Sequence, residues 1–241
     1  MFKTEINIGE THIRLTSDVN EINLKHYIRS IRNDLKNYIA LNPDFLISLN
    51  PIDVKYDDLD LIVQTMIKSS NIAQVGPMAC VAGTISQLSL NYLIKHGSKY
   101  SIVENGGDIA VINDRKVLCG IYSNNNILGN EIAFEIKKRK RPLGICTSSG
   151  KIGHSISFGD ADSVTVISNS SSLGDGLATK IANSVYGDVG EDKVNSALSV
   201  ADEFREFFDG VLVICDEYVG SVGRLPKIVE TNKFDVNLLN Y

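Results

Sequence analysis

Paired cysteines are missing from this chain of 241 residues. Its four cysteines, at positions 80, 119, 146 and 215, stand far apart with no C-x-x-C among them, which excludes the usual signature of a zinc site, a redox dithiol or a disulfide framework. Cys119 and Cys215 sit in the apolar runs KVLCGIY and GVLVICDEY, where a thiol serves as a small hydrophobe. Excess positive charge is missing as well. With 24 Lys and Arg against 29 Asp and Glu, the formal net charge is -5, and a general nucleic-acid binder is excluded. No window holds the roughly 18 consecutive apolar residues that a membrane span needs. The start, MFKTEINIGETHIRL, alternates charged and apolar residues without an apolar signal core, so the expected location is the cytoplasm. No Pro/Gly/Ser-rich linker interrupts the chain, and one domain over residues 1–241 is expected.

What is present is enough apolar residue, 43%, to fill a sizeable core. TEINI and HIRLT alternate around Gly9 and predict a hairpin. Leu24, Ile28, Ile31, Leu35 and Ile39 recur at three- and four-residue steps and predict an amphipathic helix, broken by NPDFLISLNP. A second helix is expected over DDLDLIVQTMIKSS, with Asp57 or Asp58 near its start. A third, rich in small residues, opens at Gly76-Pro77 and ends at Gly97. Its Ala79, Ala82 and Gly83 would admit either a ligand or backbone packed against them, or tight packing of the helix on the sheet.

Short β-branched runs follow: YSIVE, DIAVI, KVLCGIY, EIAFEI, PLGICTSS and SVTVIS, with INDRK as a tight hairpin between two of them. Two helices, SLGDGLATKIANSVYG and EDKVNSALSVADEFREFF, precede the strands GVLVICDEYVGSV and LPKIVE. Helices come in clusters instead of one per strand. The expected class is therefore α+β with a largely antiparallel sheet. GPMACVAGTISQ and GDGLATKIANSV are both Gly-opened, Ala-rich helices, a weak hint of internal duplication.

Four places could carry chemistry. Asn105-Gly106-Gly107-Asp108 either turns backbone N–H groups towards a phosphate or ring, or is a plain hairpin turn. Thr147, Ser148, Ser149 and Gly150 could donate to phosphate oxygens, and His154 could carry a proton at neutral pH or be structural. Asp175 and Thr179, one helical turn apart on the same face, could hold a hard cation such as Mg²⁺. Alternatively, Asp175 caps its helix and Thr179 bonds back to a carbonyl. The basic run Lys137 to Arg141 could attract an anionic ligand or be a solvated hairpin tip between EIAFEI and PLGICT.

VGPMACVAGTISQ, VENGGDIAV, GICTSSGKIGHSISFGDADSVTVIS and LGDGLATKIANSV, in that order, closely resemble a family of uncharacterised prokaryotic proteins related to ApbE, the FAD:protein FMN transferase. The resemblance to that family spans nearly the whole chain, and the more distant one to true ApbE enzymes lies mainly in residues 76–186. It implies an ApbE-like fold and a nucleotide-like small-molecule ligand, FAD or FMN, handled with Mg²⁺. ENGGDI resembles N-A-G-G-D-I, which implies that Asn105, Gly106, Gly107 and Asp108 lie at the nucleotide. CTSSG resembles the T-S-G stretch, another cofactor contact at Thr147, Ser148, Ser149 and Gly150. GDGLATK resembles the A-D-A-x-A-T helix, which implies a metal role for Asp175 and Thr179. Two departures stand out: Ala82 occupies the lysine position of G-G-x-A-K-G, and His154 follows Gly150 by only four residues and leads into Ser155 instead of Asp-Pro.

Three readings follow from these residues. In the first, the chain is a Mg²⁺-dependent transferase or pyrophosphate-cleaving enzyme with catalytic roles at Asp175 and His154. In the second it is a binding protein that kept the cleft and lost the chemistry, and in the third it is a scaffold. Neither nucleic acid nor membrane is an expected partner. Small-residue helix surfaces and strand edges would allow a homo-oligomer.

Overall fold

Alternation and helical periodicity lay out eleven strands and six helices in the computed structural model, which describes residues 1–20, 22–54, 58–121, 131–149, 161–187 and 189–232. The chain opens with the hairpin of β1 (Phe2–Ile8) and β2 (Thr11–Ser17), turned at Gly9 with φ +55°. α1 (Leu24–Leu41) buries Leu24, Ile28, Ile31 and Leu35 as the spacing predicts. Arg32 is also buried on this helix, tied to the Thr11 hydroxyl and the Glu10 carboxylate of the hairpin. A short α2 (Asp44–Ile47) follows. α3 (Leu61–Ala73) begins later than expected: Asp58 has a left-handed φ of 65°, and Asp60 takes the N-cap position. After a 3-10 turn at Pro77–Cys80, α4 (Val81–Lys95) ends before Gly97, whose φ of +91° suits glycine.

β3 (Ser101–Asn105) and β4 (Asp108–Ile112) form a second hairpin. β5 (Val117–Gly120) and β6 (Ile132–Ile136) come next, then β7 (Leu143–Ser148), β8 (Ser163–Ser168), α5 (Ser171–Ala182), α6 (Gly190–Glu203), β9 (Gly210–Cys215), β10 (Tyr218–Gly223) and β11 (Lys227–Glu230). Among the described residues, eight strands make one sheet in the order β1-β2-β3-β4-β7-β8-β9-β10 and three make another, β11-β6-β5. All the pairings are antiparallel, so the α+β class with a largely antiparallel sheet holds.

The large sheet repeats itself. Each half runs as two strands, then helices, then two strands, in orders 1-2-3-4 and 7-8-9-10. The duplication thus lies in topology. The helices whose sequences look alike, α4 and α5, hold different places in it, since α4 directly precedes β3 and α5 directly follows β8.

Helices of each half cover one face of the sheet with their own apolar cluster. One is built on Ile13, Leu15, Val103 and Ala110, the other on Val164, Val166, Val211 and Val213. The opposite face packs Val111, Leu143, Ile145 and Ile167 against Phe134 and Ile136 of the small sheet.

Two expected hairpins are absent. INDRK joins β4 to β5 and the basic run joins β6 to β7, but in both cases the flanking strands belong to different sheets, so these segments cross between layers. Asn113 fastens both crossings: its side-chain amide donates to the carbonyls of Arg115 (2.7 Å) and Lys137 (3.0 Å), and its backbone carbonyl accepts the Arg139 backbone amide at 2.8 Å. In the basic run, Lys137, Lys138, Lys140 and Arg141 are exposed, whereas Arg139 is half-buried and donates to the Asn169 side chain.

Candidate functional site

Residues standing opposite one another across a sheet share a face. Ile6, Ile13, Asn105, Asp108, Cys146, Val166 and Val211 form one such row under the helices. Its outer members are aliphatic, as a helix-covered face requires. At its centre, however, stand an amide and a carboxyl. Asn105 and Asp108 flank the Gly106-Gly107 turn, which is a two-residue hairpin with Gly106 at φ +67° and both glycines exposed.

The Asn105 amide donates inward to the Ala82 carbonyl (3.2 Å), which ties the β3–β4 hairpin to the first turn of α4. Ser86 of α4 donates to the backbone carbonyl of Asp108 at 2.9 Å. Asp108 is 8% exposed, and its Oδ1 has no hydrogen-bond partner among the described residues. Burial drives its pKa up to about 7, opposed by the neighbouring Cys146 side chain.

α5 reaches the same place from the other side. Ser170 caps this helix, with its side chain accepting the Leu173 amide at 3.2 Å, so Asp175 lies well inside it and caps something else. Its Oδ2 accepts the Gly83 amide at 2.8 Å, and the Ala82 amide also bonds it. These amides are among the open donors of α4, whose own N-cap residue, Cys80, makes no side-chain cap. Asp175 is therefore a cap supplied in trans. Burial, then the charge of Asp108, pushes the Asp175 carboxyl well above the ordinary range, while the two amides oppose the rise. Cys80 and Cys146, buried beside both acids, are held as protonated thiols by the same desolvation and negative charge.

The helices approach this closely because Gly83 has no β-carbon: one placed there would run into the Ser171 carbonyl and come within 2.7 Å of the Asp175 β-carbon. At Gly83 the close packing is against another helix, α5, where the sequence suggested the sheet. Buried hydroxyls join α5 to two helices, with Ser172 bonded to Ser69 of α3 (2.7 Å) and to Thr84 of α4 (2.6 Å).

The expected site residues divide accordingly. Asn105, Asp108 and Asp175 come together at the α4–α5–sheet junction, and Thr179 is buried one turn along α5 from Asp175. Ser148 lies on the same sheet face as Cys146, two residues further along β7; its Oγ is buried without a hydrogen-bond partner among the described residues. Thr147 turns to the opposite face and bonds Thr165 at 2.9 Å, although its amide and carbonyl lie against Gly107. Ser149, just past β7, is half-buried. Gly150 and His154 lie outside the described residues. Sequence reasoning missed the Ala82 and Gly83 amides and the two thiols. The small residues that open α4 were the available signal for the amides.

Among the described residues, no three His, Cys, Asp or Glu side chains form a metal-binding group. No helix there is long and apolar enough to cross a membrane.

A family model described as "AbpE bacteria" matches residues 3–216. A "UPF0280 protein" of Methanobrevibacter smithii is 57% identical over 233 residues, covering 97% of this chain and 98% of the relative. Another, from Methanothermobacter thermautotrophicus, is 49% identical over 228 residues, with 95% and 88% covered. The apo form of the Pseudomonas stutzeri flavinyl transferase ApbE superposes with a TM-score of 0.57 at 11% identity, covering 97% of this chain and 95% of that one. That likeness is one of fold, and it extends beyond residues 76–186 to almost the whole chain. Matched over most of its length by the model and by these relatives, the chain belongs to the ApbE-like family of UPF0280 proteins.

Proposed function

We propose that this protein is a Mg²⁺-dependent enzyme acting on a flavin or a related nucleotide diphosphate, by group transfer or pyrophosphate cleavage. The observation that carries the reading is the Asn105–Asp108 pair set into an otherwise apolar row beneath Asp175, at a place where a purely structural sheet would hold aliphatic side chains. Support for the ligand class comes from the ApbE-like fold and from the solved neighbour named a flavinyl transferase. Asp175 and Thr179 would hold the cation. The Gly83 amide on Oδ2 fixes the Asp175 carboxylate in place for the metal. Mg²⁺ takes one or two carboxylates and keeps waters and substrate phosphates as its other ligands, which suits a site built on a carboxylate and a hydroxyl. A bound Mg²⁺ would neutralise charge developing at phosphorus. Ser148, Ser149 and the Gly106-Gly107 turn would position phosphates, and His154 is the proposed proton carrier.

Ala82 favours a second reading. Its methyl side chain offers no amine where the ApbE stretch it resembles has a lysine, while its backbone amide and carbonyl serve Asp175 and Asn105. A non-catalytic flavin or nucleotide binder fits that arrangement. The experiment is to incubate the protein with FAD and Mg²⁺ and follow AMP and FMN release, alongside binding of FAD by fluorescence. Metal-dependent turnover lost in Asp175→Asn supports the enzyme. Stoichiometric retention without turnover supports the binder, and neither binding nor turnover refutes both.

A further inference from the structure

We propose that Asp108 supplies a second carboxylate to the cation held by Asp175, rather than a contact to the nucleotide. The inference rests on the proposed cation site and assigns it a ligand on the sheet. Asp108 is more than nine-tenths buried and sits in a row otherwise aliphatic except for Asn105 and Cys146. A carboxylate that recognised a nucleotide hydroxyl would line an open wall, whereas Asp108 lies under α4 and α5, close enough to Asp175 for the two to repel.

Several polar groups at the junction have partners. The Asn105 amide goes to Ala82, Asp175 Oδ2 to Gly83, Ser86 to the Asp108 carbonyl, and the Cys146 thiol donates to the Ser171 carbonyl at 3.1 Å. Asp108 Oδ1 and, further along the same face, Ser148 Oγ remain without hydrogen-bond partners among the described residues. A buried carboxylate oxygen left open beside a second acid is costly on its own. A divalent cation between them turns their repulsion into shared coordination and uses the open oxygen. Without a cation, the nearby hydrogens are those of the Cys80 and Cys146 thiols, the latter facing both the Ser171 carbonyl and the Asp108 carboxyl, and the proton that the two acids themselves retain.

The test is Mn²⁺ binding to the full chain, read by electron paramagnetic resonance of free Mn²⁺, together with the metal-induced rise in Tm. Wild type, Asp108→Asn, Asp175→Asn and the exposed control Asp114→Asn are compared. We expect Asp108→Asn to weaken Mn²⁺ by at least about tenfold and to abolish most of the Tm rise, with Asp114→Asn unchanged. Wild-type affinity in Asp108→Asn with loss in Asp175→Asn would overturn the second carboxylate and leave the proposed function standing. No Mn²⁺ binding by the wild type would overturn both. Asparagine keeps the shape of Asp108 and removes its buried charge, so the variant should fold; should it not, Asp108→Ser is judged by the same criterion.

Discussion

The carboxylate of Asp175 caps a helix to which it does not belong, accepting the Gly83 amide of α4 from a position 92 residues further along the chain. One side chain therefore joins the stability of the α4–α5 contact to the geometry of the proposed cation site.

Gly83→Ala should break both at once. Its β-carbon would collide with the Ser171 carbonyl and press on Asp175, forcing the helices apart at a cost of about 1–3 kcal/mol. Chemical denaturation should show the loss, and Mn²⁺ affinity should fall with it. A variant as stable as wild type would mean that α5 can shift away without penalty.

The pH dependence of the metal-free protein has a defined sign. The Asp108 pKa rises from an ordinary 3.8 to about 7 on folding, so its protonated form favours the folded state. That contribution is complete below about pH 4 and is lost as pH rises through about 7. Asp175, raised in the same direction, adds to it. Thermal melts between about pH 5 and about pH 8 should therefore show Tm falling in wild type relative to Asp108→Asn, and added Mg²⁺ should reverse the fall. Parallel curves for the two proteins would remove Asp108 as the source.

Ser172→Ala should cost about 1–3 kcal/mol, because it takes a hydrogen-bond partner from both Ser69 and Thr84 in a buried interface. Urea unfolding is the measurement. Replacing Ser69 in the same background should cost less than it does alone, since the two act as a unit.

Asn113→Ala should loosen both crossings between sheets, leaving the Arg115 and Lys137 carbonyls without their shared donor at a cost of about 1–3 kcal/mol. Hydrogen exchange should quicken in residues 113–117 and 137–141 before it does in β4 or β7. Uniform exchange across the large sheet would refute the local role.

Local pattern carried most of the fold. The three- and four-residue steps from Leu24 to Leu35 mark a helix face because one turn repeats within the window being read, and the NGG turn marks a hairpin because two residues suffice to make one. INDRK misled for the same reason. Its composition suits a turn, but whether β4 and β5 pair depends on competition from β7, which lies 31 positions beyond the end of β4. At the site, the helical spacing of Asp175 and Thr179 was legible, while the partner of Asp175 was not. A helix shows which way a side chain points but not which amide awaits it on another helix. The polar pair in the apolar row becomes visible only when seven strands are laid side by side.

The three-stranded sheet is built from a detour between two strands that are already neighbours, β4 and β7, and is finished by a strand from the end of the described chain, β11. Asp108 and Cys146 keep their register across that junction whatever the detour contains. Residues 113–142 can therefore lengthen, shorten or change surface in the course of descent while the acids beneath the helices hold their positions. The acids and the three-stranded layer stand on opposite faces of one sheet, so that change in the layer reaches the acids only through β4 and β7.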